Sequence, residues 1–380
     1  MKKLLVKNIG LLATPEGKSA HRGEEQGKIK FLKDAWVLIE DGVIASVGTG
    51  AVPACEGAEV VDAEGHLVTP GLVDAHTHLI FGGWRQNELG LKLHGASYLD
   101  IQNAGGGIQS TTNATRQASE QELAAKASKA LEVIKDLNDH HRMDLVATFM
   151  GAHLVPAEYK SNREEYVRLV CEEMMPKVKE QGIAKFCDVF CEADTFTVEE
   201  SRQVLEAGLK YGLRPKIHAD EIEAIGGSQL AGEIGAISAE HLIVCPPEGI
   251  ASMAKGGVIA CLLPATSFNL GAVFAPARDM VKAGVPVAMA TDFNPGSCPC
   301  LNMQFVINLG CLKYKLTPEE VLTAVTLNGA AAIDLADKVG SVEEGKLGDL
   351  VIWDAPDLDY ICYRVGSNLA KTVIKRGEIV

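Results

Sequence analysis

The stretch Leu67-Val68-Thr69-Pro70-Gly71-Leu72-Val73-Asp74-Ala75-His76-Thr77-His78 decides how this chain is read. An apolar, β-branched run leads into two histidines spaced two residues apart. Side chains alternate along a strand, so His76 and His78 point to the same side. Two imidazoles together at a strand end make half of a metal site, and a metal turns water into a nucleophile near neutral pH. A lone His-x-His is weak evidence, because two surface histidines give the same pattern.

Other stretches strengthen it. Arg214-Pro215-Lys216-Ile217-His218, Ile237-Ser238-Ala239-Glu240-His241 and Val285-Pro286-Val287-Ala288-Met289-Ala290-Thr291-Asp292 are short apolar or β-branched runs. Each finishes on a residue that ligates metals or moves protons, and helix-like segments separate them. Reactive residues at the C-terminal ends of different strands are the arrangement of a (β/α)8 TIM-type barrel. We therefore expect an α/β fold of that type.

The 380 residues suffice for one large barrel and a small second domain. Lys and Arg number 36 against 50 Asp and Glu, a net charge of −14. Such an acidic chain argues against nucleic acid or an anionic membrane as partner, while leaving room for a local basic pocket. The ten cysteines have no zinc-finger pairing, and Cys187, Cys191 and Cys261 lie in apolar runs. They read as reduced thiols of a cytoplasmic protein. Lys7, Asn8 and Gly10 interrupt the opening apolar run, so no signal peptide is expected, and no segment approaches the ~20 apolar residues of a membrane helix.

Both ends read as short strands with turns, Asp41-Gly42 being a strong hairpin signal. We expect residues 1–66 and 341–380 to form one small β-sandwich domain around a barrel of residues 67–340. Barrel strands are predicted at His76/His78, Leu145–Met150, Phe186–Cys191, Lys216–His218, Ile237–His241, Val258–Leu263 and Val287–Thr291, with a helix over about Glu120–Asn138. That is one short of eight, and the gap falls between the first strand and Leu145. Closure depends on consistent strand number and shear. The expectation is that a βα unit of roughly 30 residues has been omitted there. An intact mass clearly above 40.5 kDa would show omission, and a mass equal to it would show deletion.

Gly71-Leu72-Val73-Asp74-Ala75-His76-Thr77-His78 and the tail Glu344-Gly345-Lys346-Leu347-Gly348-Asp349-Leu350-Val351 resemble the amidohydrolase superfamily. Phe81-Gly82-Gly83-Trp84-Arg85, Gly95-Ala96-Ser97-Tyr98, Gly105-Gly106-Gly107-Ile108, Gly151-Ala152-His153, Phe186-Cys187-Asp188-Val189-Phe190-Cys191-Glu192, His218-Ala219-Asp220-Glu221 and Thr291-Asp292-Phe293-Asn294-Pro295-Gly296-Ser297 resemble one branch of it. The resemblance spans nearly the whole chain. It implies hydrolysis of the cyclic amide of 4-imidazolone-5-propanoate to N-formimino-L-glutamate, in histidine degradation. Three departures stand out. A Lys-Ser-Gly-Tyr-Gly stretch of the second strand has no counterpart here. Asn269 stands where an aromatic is expected, and Trp84 where a small residue is usual.

The implied ligands are His76, His78, His218 and Asp292, around one divalent ion, Zn²⁺ or Fe²⁺. Glu221, His241 and Asp292 are the candidates for moving protons and polarising the carbonyl. Arg85 suits the propanoate, because a guanidinium forks onto a carboxylate. Tyr98, His153 and Asn294 are candidate substrate donors. The expected partners are an acidic small molecule and a second copy of the chain, dimers being the commonest oligomers. Another amidohydrolase activity (a cyclic amidase or a deaminase) and a non-catalytic module on a degraded barrel remain as alternatives. A substrate lacking the carboxylate, and the metal content, separate them.

Overall fold

The computed structural model describes residues 2–78, 84–96, 100–101, 104–107, 110–111, 113 and 143–380. Its first sheet joins the two ends of the chain. Strand β1 (Lys3–Thr14) pairs antiparallel with β2 (Lys30–Glu40), and β2 with β3 (Val43–Thr49). Asp41 and Gly42 both take positive φ, 47° and 82°, as a two-residue hairpin of the predicted kind requires. On its other edge β1 pairs with β4 (Glu59–Asp62) at Leu4–Lys7 and with β5 (Leu67–Pro70) at Leu11–Leu12.

From the C-terminal end come β12 (Leu350–Trp353), β13 (Ala370–Lys375) and β14 (Glu378–Ile379), with β12 pairing β5. The eight strands form one hydrogen-bonded sheet rather than the two separate sheets of a sandwich. The reason lies in β1, which is long enough to carry two successive partners on one edge and so holds both leaves. Val6, Leu12, Val37, Ile44, Val68, Leu350 and Ile374 fill the space between them. Leu67–Pro70, read from sequence as leading directly into the histidine pair, belongs to this sheet.

The second sheet is parallel throughout and runs in chain order. Its strands are β6 (Ala147–Ala152), β7 (Ala184–Cys191), β8 (Arg214–Ala219), β9 (Ser238–His241), β10 (Ile259–Leu262) and β11 (Val287–Met289). All six match predicted runs. Helices return the chain between strands, and their starts are written locally. Thr197 and Glu200 make a reciprocal capping box at Val198–Lys210, as do Thr317 and Glu320 at Pro318–Val325, where proline takes the first turn. Val189, Ile217, Ala239, Leu262, Val287 and Met289 face the helices in the main core.

Inside the curve of the sheet sit small side chains, Ala75, Cys261, Ala288 and Ala290, with Ile259 and Leu263. A buried polar layer adjoins them. Lys216 Nζ reaches Ser238 Oγ at 2.8 Å and Glu240 Oε1 at 3.1 Å. The N-terminal segment is tied to this frame by buried Gln26, whose amide exchanges 3.0 Å hydrogen bonds with the backbone of Val287.

A seventh stave is the segment carrying His76 and His78. Asp292 N donates to His76 O at 2.9 Å and His78 N to Phe293 O at 2.8 Å, which lays it beside the end of β11. At the opposite edge stands β6, whose four middle residues are only half-buried, whereas β9, β10 and β11 are buried throughout. Among the described residues no eighth stave pairs with both edges. The helix expected over Glu120–Asn138 lies outside the described residues.

Candidate metal centre

The C-terminal ends of five staves converge. Nε2 of His76 and Nε2 of His78 lie 3.2 Å apart, and Asp292 Oδ1 lies 3.3 Å from His78 Nε2 and 3.7 Å from His76 Nε2. Donors placed ~2.05 Å from a tetrahedral Zn²⁺ would be about 3.3 Å from one another. Donor atoms of His76, His78 and His218 all fall within 4.8 Å of one another, and those of His76, His241 and Asp292 do likewise. His218 Nε2 and Asp292 Oδ1 are buried without a hydrogen-bond partner. Buried polar atoms are rarely left so. The donor set of three imidazoles and one carboxylate, with two orphaned atoms among them, fits a divalent cation.

Partners behind the donors hold them in place. Asp188 Oδ1 accepts from His218 Nδ1 at 2.9 Å, leaving Nε2 to face the cluster, the arrangement that orients metal-ligating histidines. Thr266 Oγ1 donates to Asp292 Oδ2 at 2.5 Å, which turns Oδ1 inward. Asp74 takes Thr291 N at 2.9 Å and Thr291 Oγ1 at 2.6 Å, locking the first stave to the end of β11. Asp188, Thr266 and Asp74 were missed as functional residues. Asp188 stands three residues back from the predicted strand end, so its pairing with His218 depends on sheet register.

The electrostatics follow from burial. Burial keeps His241 neutral, its pKa lowered to about 3, and holds His76 and His153 well below the usual value, with neighbouring imidazoles adding to the effect. For His218 burial opposes protonation, but the Asp188 carboxylate outweighs it and pushes the pKa up to about 9. Burial raises Glu221 to about 8, reinforced by the charge of Asp292. Asp292 itself is pulled down to about 2, the His78 imidazole 3.3 Å from Oδ1 and the Thr266 hydroxyl on Oδ2 outweighing burial. Asp220, His241, Leu242 and Asp292 have φ of 51°, 68°, 57° and 55°. Left-handed non-glycine residues cost of order 1–3 kcal/mol each and gather where geometry matters more than comfort.

Glu221 Oε2 lies 3.6 Å from His241 Nε2. The His153 ring stands 5.2 Å from that of His218 and 5.5 Å from that of His78, centroid to centroid, at the rim of the same cluster. Arg85 is buried, with Nε 3.4 Å from Glu88 Oε2, and its guanidinium lies against Gly296, four residues beyond Asp292. The Asn294 side chain is occupied within its own loop. It donates to Asp292 O and Ser297 Oγ, both at 2.8 Å, and accepts from the backbone of Gly296 and Ser297. Asn269 Nδ2 donates to Ser297 O at 2.6 Å, and the Trp84 ring packs edge-on to Phe293, so both departures from the resemblance border this loop. Tyr98 lies outside the described residues.

Residues 67–380 match the family model described as the amidohydrolase family. The chain is similar to an imidazolonepropionase of Alkaliphilus metalliredigens, 47% identical over 414 aligned positions that cover 100% of this chain and 98% of that one. It is 46% identical to an imidazolonepropionase of Brevibacillus brevis, covering 100% and 98%. Its fold is similar to that of an adenosine deaminase from Xanthomonas campestris with bound zinc (TM-score 0.69, 20% identity, 100% and 92% coverage). A triazine hydrolase variant gives a TM-score of 0.70 at 18% identity, with 100% and 94% coverage. An alignment of 414 positions against a chain of 380 leaves at least 34 positions with no residue here, about one βα unit.

Proposed function

The chain belongs to the amidohydrolase family and, within it, to the imidazolonepropionase family, and from that premise we propose that it opens the cyclic amide of 4-imidazolone-5-propanoate, giving N-formimino-L-glutamate in histidine degradation. The observation that carries the proposal is the convergence of His76, His78, His218 and Asp292 with two buried donor atoms left unpaired. These four would hold one divalent ion, Zn²⁺ or Fe²⁺, with His241 close enough to compete for a position. A bound divalent ion would supply Lewis acidity toward the amide carbonyl and the attacking water.

The chain's own residues then divide the work. Asp292, ionised to low pH and standing 3.3 Å from His78 Nε2, takes the proton of the attacking water. His241 stays neutral and presents Nε2 toward the carbonyl oxygen. Glu221, protonated near neutral pH, stands beside it to give its proton to the departing ring nitrogen. Arg85, held by Glu88, is the clamp for the propanoate, and such clamps lower the barrier by fixing the approach of reacting atoms. His153, beside His78 and His218, is a further candidate contact for the substrate. Ten unpaired cysteines support a reducing, cytoplasmic compartment, and no helix among the described residues is long and apolar enough to cross a membrane.

Loss of imidazolone ultraviolet absorbance with metal-loaded protein tests the proposal, with His218→Ala as control. Turnover absent from the control supports it. The 34-position shortfall favours one other reading, a barrel that holds metal without turnover, and metal content near one equivalent with no absorbance change would select it.

A further inference from the structure

We propose that Glu192 is the positioning residue for Glu221, so that one buried carboxylate on the end of β7 sets where the proton donor beyond β8 stands. Glu192 follows β7 directly and is 1% exposed. Its carboxylate accepts four backbone hydrogen bonds. Oε2 takes Glu221 N and Ile222 N, both at 2.9 Å; Oε1 takes Glu223 N at 2.9 Å and Ala193 N at 3.0 Å. Three successive N–H groups aimed at one point form an anion-binding nest, and here the anion is part of the protein.

The local chain explains the need. After β8 the backbone turns through Asp220 in a left-handed conformation, which exposes the next three N–H groups on one side. Those groups are part-buried, and Glu192 supplies their acceptor. Glu192 can serve because its own loop is stiff. Thr195 Oγ1 donates to Phe190 O at 2.7 Å and to Glu192 O at 3.0 Å, and Phe196 N donates back to Phe190 O at 3.2 Å. The Glu221 carboxyl projects from the clamped turn to within 3.6 Å of His241 Nε2. A glutamine at 192 keeps the shape but turns an N–H₂ toward two of the four donors, so the turn loses its register.

The inference rests on the reading that Glu221 handles a proton of the reaction. The test is a double-mutant cycle in the metal-loaded enzyme, with Glu192→Gln, Glu221→Gln and the pair. Glu192→Gln is expected to lower kcat roughly 10- to 100-fold, the usual effect of losing a partner behind a reacting group, with KM and metal per chain nearly unchanged. In the Glu221→Gln background the same change is expected to lower kcat by less than about twofold, because its effect passes through Glu221. Glu192→Asp, one methylene short, is expected to lie between. A loss of equal size in both backgrounds, or one explained by lower metal content, overturns the proposal. Full activity of Glu221→Gln alone overturns the reading of Glu221 instead, so the two failures are distinguishable. Should Glu192→Gln fail to fold, Glu192→Asp carries the same cycle.

Discussion

Replacing Gly296 with alanine isolates the role proposed for Arg85. A Cβ built on Gly296 would sit 1.3 Å from Arg85 Nη2 and 1.8 Å from Cζ. Ordinary carbon contacts begin near 3.5 Å, so the guanidinium must move by roughly 2 Å. The loop cannot yield in its place. Asn294 Oδ1 holds the N–H groups of Gly296 and Ser297, Asn269 holds Ser297 O, and Lys92 Nζ donates to Gly296 O at 3.0 Å. The φ of Gly296 lies outside the left-handed range, so the backbone accepts alanine without strain. Only the far end of a long side chain is displaced, and the fold should lose little. The clamp should lose much. A hydrogen bond to a charged group contributes about 1.5–3 kcal/mol, which is roughly 10- to 100-fold in KM. Steady-state kinetics on 4-imidazolone-5-propanoate should show that rise with metal content unchanged. In an Arg85→Ala background Gly296→Ala should add nothing. A KM within about twofold of the parent would refute the assignment of Arg85 to the propanoate.

Asp188→Asn should weaken metal affinity about 10- to 100-fold by replacing the carboxylate that orients His218 with a neutral amide, measurable by competition with a chelator. The Glu221 carboxyl lies at about 8 in the folded chain against an ordinary 4.5, so folding takes up a proton between those values. Its contribution to stability is complete below about pH 4.5 and is lost as pH rises through about 8, and activity that needs its proton should fall over the same upper limb. A limb unchanged in Glu221→Gln would remove Glu221 from that role. Asp292 shifts the other way. Its contribution is present above the ordinary value of 3.8 and lost as pH falls through about 2, so Asp292→Asn should flatten the acid end of the metal-free unfolding curve. Mass spectrometry of the intact chain from its source should give a value clearly above 40.5 kDa if the missing unit was omitted, and 40.5 kDa if it was deleted.

The strand ends were legible because period-2 apolar runs ending on His or Asp carry their own signal, and the six parallel strands fall on the predicted runs. The hairpin at Asp41-Gly42 was legible for the same local reason, since few residues other than glycine accept its backbone angles without cost. The predicted barrel strands counted one short of eight, and an alignment of 414 positions to a relative exceeds this chain by 34. What sequence alone left open is everything set by register between strands. That Asp188 meets His218 depends on β7 and β8 pairing Asp188 with Lys216 and Phe190 with His218. That Lys216 finds Glu240, and that Glu192 reaches the turn after β8, depends on neighbouring staves and not on any interval in the chain. Likewise Leu67–Pro70 reads as part of the barrel until β1 and β12 claim it. Local sequence determined which residues stand at the ends of staves, because strand periodicity acts over a few residues. Tertiary packing decided which of them share a hydrogen bond, because those partners lie tens of residues apart and meet only when the sheet has its register.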